Sequence, residues 1–227
     1  MGHHWTYNIT DTVVVNLDTV FAMLAAMLFL LVVALIGTRK ISIFPTKIQL
    51  VFEKILGYFD DLVNGMINEG GRKHFPLIAS LFLFIVTANL MGQLPLKMIE
   101  LKHGEIASPT NDINLTAALA LIVLVYYVAA GLIKKKHKFL LHEISFVGII
   151  SMLVEILELI TRPLTLALRL FGNILAGEIL ITALLGLVAW GLPLPIMFFE
   201  ILVACVQALV FTMLTTVYIA TAVNEQH

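Results

Sequence analysis

Residues 166–180 read LALRLFGNILAGEIL. Arg169, Asn173 and Glu178 interrupt a stretch that is otherwise apolar enough to sit in a bilayer. A charge inside such a stretch is expensive, so it marks either a groove lined by protein or water, or a functional site. The rest of the chain decides between a soluble core and a membrane setting. Of 227 residues, 60% are hydrophobic and 13% are charged. Soluble domains are nearer half apolar and about a quarter charged, so the composition is that of a membrane protein. Thr19–Thr38, Phe75–Leu96, Ile113–Ile133, Ile179–Phe199 and Ile201–Asn224 contain no Asp, Glu, Lys or Arg. As helix, each is long enough to cross a hydrocarbon core of roughly 30 Å.

A net charge of −1 leaves no broad basic surface, so a nucleic-acid partner is not expected. Cys205 is the lone cysteine and lies inside an apolar run; it reads as a small apolar filler, with no disulfide framework. The first eighteen residues hold no Lys or Arg, and the first apolar run is too long for the core of a cleaved leader. No spacing of His, Cys or Asp makes a metal site. His142-Glu143 lacks the second His of a zinc-protease helix, and there is no Ser nucleophile motif or phosphate-cradling glycine loop.

Basic residues set the orientation. Arg39, Lys40, Lys47, Lys54, Arg72 and Lys73 fall between the first two spans, and Lys134, Lys135, Lys136 and Lys138 follow the third. The intervening Pro95–Asn114 segment carries Lys97 and Lys102, offset by Glu100, Glu105 and Asp112. The positive-inside rule puts the first and third segments inside and the second outside. Five crossings then leave the N-terminus outside and the C-terminus inside.

Between Pro45 and Glu69, Ile48, Val51, Phe52, Ile55, Tyr58, Phe59, Leu62, Val63 and Met66 recur at helical spacing, with Glu53, Lys54, Asp60 and Asp61 among them. This predicts an amphipathic helix on the inner membrane surface, ended by Gly70-Gly71. Glu143–Trp190 as one helix would be roughly 70 Å long, over twice the bilayer core. Glu155, Glu158, Arg162, Arg169 and Glu178 punctuate it. Either it breaks near Pro163 or it lies steeply tilted against protein, and tilt is the reading preferred here. Gly191, Pro193 and Pro195 mark the turn into the last helix. The expected architecture is all-α and a single membrane domain over 1–227, with spans near 19–38, 75–96, 113–133, 144–190 (tilted) and 194–222. A surface helix is expected near 45–69, and the last two spans form a long tilted hairpin.

On a wheel of about 100° per residue, Glu155 and Asn173 fall about 40° from Arg169, and Arg162 and Glu158 about 20° from it. Glu178 falls about 180° away, on the opposite face. On the last helix Glu200 and Gln207 are seven apart, nearly eclipsed, and about 10 Å apart in depth. Tyr218 extends that face. Carboxylates and an amide at stepped depths can relay protons through water. A guanidinium cannot relay, but it can lower the pKa of a nearby acid. No acid of this chain matches Arg169 in face and depth, so a partner chain is expected to supply one.

Duller roles exist for each residue. Arg169 can pair with Glu155, Glu158 or a backbone carbonyl, and Arg162, nearer the inner surface, can snorkel. Asn173 can be helix–helix glue, and Glu178 with Glu200 a mere internal pair.

RPLTLALRLFGNILAGEIL (162–180), PTNDINLT (109–116) and FFEILVACVQALVFTMLTTVYIA (198–220) resemble subunit a of the F-type ATP synthase membrane sector. The resemblance covers essentially the whole chain, including the opening GHH…VNLDTVF. It implies that Arg169 faces the rotating ring of c subunits. It also implies that Asn173, Glu178, Glu200 and Gln207 line an outer aqueous half-channel, and that Glu155 and Glu158 lie near an inner one. Some relatives carry histidine at a position matching Gly177 or Glu200, so here the relay would lean on the two carboxylates Glu178 and Glu200.

The implied function is proton translocation that drives rotation and ATP synthesis in other subunits. The implied partners are the c ring, the subunit b stalk, the remaining synthase subunits and the lipid bilayer. No cofactor, metal or catalytic residue is implied in this chain, which is expected to be a non-enzymatic subunit. The Gly-His-His opening suggests a bacterial plasma membrane ahead of a chloroplast thylakoid. A rival reading is a self-contained ion-coupled transporter, which would call for a discontinuous helix or an internal repeat; no repeat is visible.

Overall fold

The computed structural model describes residues 6–10, 13–39, 47–68, 70–93, 109–135, 146–187 and 193–224. Six helices carry the fold: α1 (Leu17–Thr38), α2 (Lys47–Met66), α3 (Phe75–Gln93), α4 (Ile113–Lys135), α5 (Phe146–Leu187) and α6 (Pro193–Val223). Two 3-10 turns, Gly71–Lys73 and Pro109–Asn111, lead into α3 and α4. Ahead of α1 is an element the all-helical expectation omits. Strand β1 (Thr6–Thr10) pairs antiparallel with β2 (Val13–Asn16), in the register Thr6↔Asn16, Tyr7↔Val15 and Asn8↔Val14. The run Val13-Val14-Val15 explains it, since β-branched side chains favour extended backbone.

Five of the helices, all but α2, are long and apolar enough to cross a membrane. Their outward residues agree with that setting. Phe21, Leu24, Leu28, Phe29, Leu35 and Ile36 on α1 are exposed, as are Leu157, Ile160, Leu164 and Leu168 on α5 and Phe198 and Phe199 on α6. So much contiguous apolar surface would aggregate in water; in hydrocarbon it is already in its preferred solvent. α1 is the least embedded span, with Ala22 and Ala26 as its buried residues, and it leans chiefly on α3.

The shared core is built from α2, α3, α4, α5 and α6. Phe59, Val63, Ile78, Ile85, Val123, Tyr127, Leu166, Leu170, Phe211 and Ile219 are buried together. α2 turns Phe59 and Val63 into this core and leaves Glu53, Lys54 and Asp61 exposed. Gly70 follows it at φ 78°, a left-handed conformation that is costly for a side chain bearing Cβ. Pro45 and Glu69, expected to bracket this helix, lie outside the described residues.

α5 resolves the choice left open at Pro163. It is one helix of 42 residues with the proline inside it, so it does not break there. It packs against both α4 and α6.

Contacts sort the connections into two ends. At one end Asp112, in the turn before α4, binds Asn16 and Thr19 at the start of α1. The C-terminal half of α5 and the start of α6 meet at this end as well. At the other end Asn224, after α6, accepts from the Asn68 backbone N–H at 3.1 Å and donates to the Met66 carbonyl at 2.8 Å. The described basic residues Arg72, Lys73 and Lys134 belong to this second end, where His74 and Tyr126 share a 3.0 Å hydrogen bond. Burial first, then the charges of Lys73 and Lys134, hold His74 below the ordinary imidazole value.

Candidate functional site

The polar residues inside the apolar bundle form three groups, and α5 contributes to all of them.

The first group lies at the end that carries Asp112. The proline-led turn Pro109–Asn111 points Asn111 at α5, where its Nδ2 donates to Glu178 Oε2 at 2.5 Å. Across the helix pair, Glu200 of α6 lays its carboxylate on the α5 backbone at Gly177. A Cβ built on Gly177 would overlap Glu200 Oε1 outright and fall 2.6 Å from its Cδ. Glycine at 177 is therefore what lets a carboxylate occupy this place. Glu200 thus meets α5 at Gly177, while the next residue, Glu178, meets the turn before α4 through Asn111.

Gln207 sits two turns further along α6 and is buried. Between Glu200 and Gln207 in depth is a residue that sequence spacing does not single out. Asn89 of α3, fully buried, donates from Nδ2 to the carbonyl of Ala204 at 3.2 Å. Asn89 Oδ1, Asn111 Oδ1 and Gln207 Nε2 are buried and have no hydrogen-bond partner among the described residues. Two acceptors and a donor left over in one region are uncommon in native interiors. The signal that could have found Asn89 is modest, an amide in the otherwise apolar run 75–92, and Asn111 lies within the PTND turn.

The hydroxyls of α6 do not join this group. Thr212, Thr215 and Thr216 are buried, but each donates to the carbonyl four residues back, at 2.9 Å. That local bond satisfies the group without a neighbour.

The second group is Arg169 with Asn173. Arg169 is exposed on α5, flanked by the buried core residues Leu166 and Leu170. Among the described residues it makes no hydrogen bond or ion pair. Glu158, a proposed partner on the duller reading, is engaged elsewhere. Asn173, one turn on, is half-buried and makes no side-chain hydrogen bond among the described residues.

The third group surrounds Arg162. Its guanidinium pairs with Glu158 one turn back and donates to Thr221 Oγ1 of α6 at 3.3 Å. It also lies over two rings, 5.1 Å from the centroid of Tyr218 and 6.0 Å from that of Tyr127. Arg162 thus turns toward α4 and α6, in place of the snorkelling allowed for it above. Tyr218 belongs here too: it shares a helix with Glu200 and Gln207, but its ring packs against Tyr127 and Arg162. The side chain of Glu155 lies outside the described residues.

At the entrance to the first group, Asp112 holds three elements together. Its Oδ2 accepts from Asn16 at 2.8 Å and Thr19 at 3.0 Å, and its Oδ1 accepts from the Asn114 backbone N–H at 2.9 Å. Burial works to raise its pKa, but these hydrogen bonds outweigh it and hold the carboxyl below the usual carboxylate value. The last of them caps the first turn of α4.

A family model described as ATP synthase A chain matches residues 19–220. The chain is also 41% identical, over 230 aligned positions, to a protein named ATP synthase subunit a from Gloeobacter violaceus, covering 99% of this chain and 91% of that relative. The family match takes in all three polar groups except Thr221, and every helix apart from the first residues of α1 and the last of α6. With that coverage and identity, the chain belongs to the ATP synthase A chain family.

Proposed function

We propose that the chain translocates protons for an ATP synthase through two offset half-channels that meet a ring of c subunits. The observation that carries this reading is the contrast around α5. One flank holds Glu178 among buried polar groups, while the other presents an exposed Arg169 with no ion pair among the described residues. A lone cation on the lipid-facing side of a spanning helix costs about 3 kcal/mol, so a protein surface bearing an acid is the natural cover.

The steps follow from the chemistry of the groups. Protons enter from the outer end past Glu200, Gln207, Glu178 and Asn173, with Asn111 and Asn89 supplying further polar atoms along the way. Buried amide atoms that no side chain satisfies suit a hydrated path, because water can both donate and accept. The proton then neutralises an acid on the ring, which can enter lipid once uncharged. After nearly a full rotation that acid reaches Arg169, whose positive field favours the ionised form and drives release inward. Arg169 also blocks a direct leak between the two paths, since a guanidinium does not pass its proton on. Of the two inner candidates, Glu158 is tied to Arg162, which leaves Glu155 the better exit group.

The orientation follows from charge. The end bearing Arg72, Lys73 and Lys134 faces inward and the Asp112 end outward, which puts the N-terminus outside. The chain then forms one membrane domain, with α2 along the inner surface and α5 and α6 as a tilted hairpin beside the ring. The membrane is taken as a bacterial plasma membrane. The subunit itself is non-catalytic; ATP is made in other subunits, and the b stalk holds this one against rotation.

The test is Arg169→Ala in the assembled synthase, assayed in inverted vesicles for ATP-driven acidification. Loss of pumping by at least about 100-fold is expected, the scale of removing one preorganised charge from a working site. Full pumping in this variant sinks the reading. A self-contained transporter would instead move solute without any proteolipid ring.

A further inference from the structure

Pro163 lies inside a helix that continues on both sides of it. Proline supplies no N–H, so the carbonyl of Leu159 loses its in-helix donor, and the ring crowds the preceding turn. The α conformation is also disfavoured for the residue before proline, which is Arg162. An interior proline costs about 3 kcal/mol relative to alanine. The turn 159–163 is therefore the weakest point of α5, and whatever holds it sets the direction of the helix beyond.

Arg162 is the side chain positioned to hold it. Its ion pair with Glu158 spans this turn along the helix. Its bond to Thr221 and its position over Tyr218 tie the turn to α6. The ring of Tyr127, buried in the core, backs it from α4. Guanidinium suits the place because one plane can hydrogen-bond at its edge while its face rests on aromatic rings. A lysine ammonium offers no such plane. Two turns further on, about 10 Å along the axis, comes Arg169.

We infer that Arg162 is a positioning residue: with Glu158, Tyr127, Tyr218 and Thr221 it clamps the proline turn of α5 and so fixes the rotation of the segment that presents Arg169 to the ring. The inference rests on the role proposed above for Arg169. Releasing the clamp leaves α5 inserted but lets the segment beyond Pro163 rotate or shift. Misplacing a working group by about 1 Å can cost about 100-fold, so small excursions are enough to uncouple the machine.

The proline makes the test specific. Arg162→Gln, Pro163→Ala and the double variant are compared in the assembled synthase in membrane vesicles. Subunit content, ATP hydrolysis and proton pumping per ATP hydrolysed are measured for each. Arg162→Gln is expected to assemble and hydrolyse ATP while its pumping per ATP falls about tenfold. Pro163→Ala restores the missing N–H, so the double variant is expected to recover to within about twofold of the parent. Arg162→Lys, with the charge but not the plane, falls between.

A merely structural arginine would change subunit content and leave the coupling ratio alone. Normal coupling in Arg162→Gln, or a coupling defect that Pro163→Ala does not relieve, overturns the clamp. If Arg162→Gln does not accumulate, Tyr218→Leu takes its place, since it removes a ring contact and leaves the Glu158 pair. Its coupling is expected to fall about threefold and to be restored by Pro163→Ala; a normal ratio, or no restoration, overturns the clamp equally. The two readings fail separately. A pumping Arg169→Ala variant removes the gate, whereas an inactive Arg169→Ala beside an Arg162→Gln that Pro163→Ala cannot rescue removes only the clamp.

Discussion

Arg162 and Arg169 stand seven residues apart on one helix, on nearly the same face, and the bundle treats them in opposite ways. Arg162 has a carboxylate, a hydroxyl and two aromatic rings around it, drawn from α4, α5 and α6. Arg169 is exposed, beside the buried residues Leu166 and Leu170. Equal cost cannot explain the difference, because both are permanent cations in an apolar stretch. One charge is used up inside the chain and stiffens it. In the proposed function the other is left for an acid outside the chain, and in the clamp inference the first keeps it in place.

The largest expected effect therefore comes from exchanging those situations. Removing Arg169 is expected to stop coupled transport, whereas loosening Arg162 is expected to leave a working but inefficient machine. Restoring pumping to Arg169→Ala by any change confined to the Arg162 cluster would erase the distinction between them.

Next in size is the glycine beneath Glu200. In Gly177→Ala the new methyl group would overlap Glu200 Oε1 where it now lies, so the carboxylate must swing away. Pumping is expected to fall about tenfold, and Gly177→Ala with Glu200→Asp should regain part of it because the shorter side chain withdraws the carboxylate by one methylene. An unchanged rate in Gly177→Ala would show that the resting place of Glu200 has no part in conduction. A smaller loss, about threefold, is expected for Asn89→Leu, which keeps the branched shape, adds some bulk and deletes both polar atoms. Subunit content separates that effect from misfolding, and normal pumping there removes Asn89 from the path.

The same residues mark how far the amino-acid sequence specifies the molecule in a legible way. The five spans, the surface-type period of α2 and the opposite placement of Arg169 and Glu178 all follow from spacing, because helical geometry fixes which side chains share a face. Pro163 is ambiguous in the sequence for a physical reason: whether a helix survives an interior proline depends on neighbours in other elements, which local sequence does not name. Period alone groups Tyr218 with Gln207, yet its ring is claimed by Arg162 and Tyr127 at the other end of α6. Asn89 and Asn111 act across elements, and no periodicity within one helix reveals a contact with Ala204 or Glu178. The N-terminal ribbon is too short for its alternation to stand out beside the long apolar runs.

The smallest effect expected concerns Asp112, and it separates an anchor between α1 and α4 from the proposed path beside it. Its carboxyl is held below the ordinary value by hydrogen bonds from Asn16, Asn114 and Thr19, which outweigh burial. A group with a depressed folded-state pKa binds fewer protons folded than unfolded. Its stabilisation is complete above the unfolded value of about 4 and is lost as pH falls through the lower folded value. The purified synthase should therefore lose thermal stability in that acid window, and Asp112→Asn should flatten this part of the profile while costing little at neutral pH. Asparagine keeps one acceptor oxygen, so the cap on α4 can survive while the charge-assisted bonds to α1 weaken. Proton pumping at neutral pH should stay within about twofold, because Asp112 bonds Asn16, Thr19 and Asn114 while Glu178 is held by Asn111. An acid-stability profile identical in Asp112→Asn and the parent would mean that the contact between α1 and the turn before α4 contributes nothing to holding the outer end together.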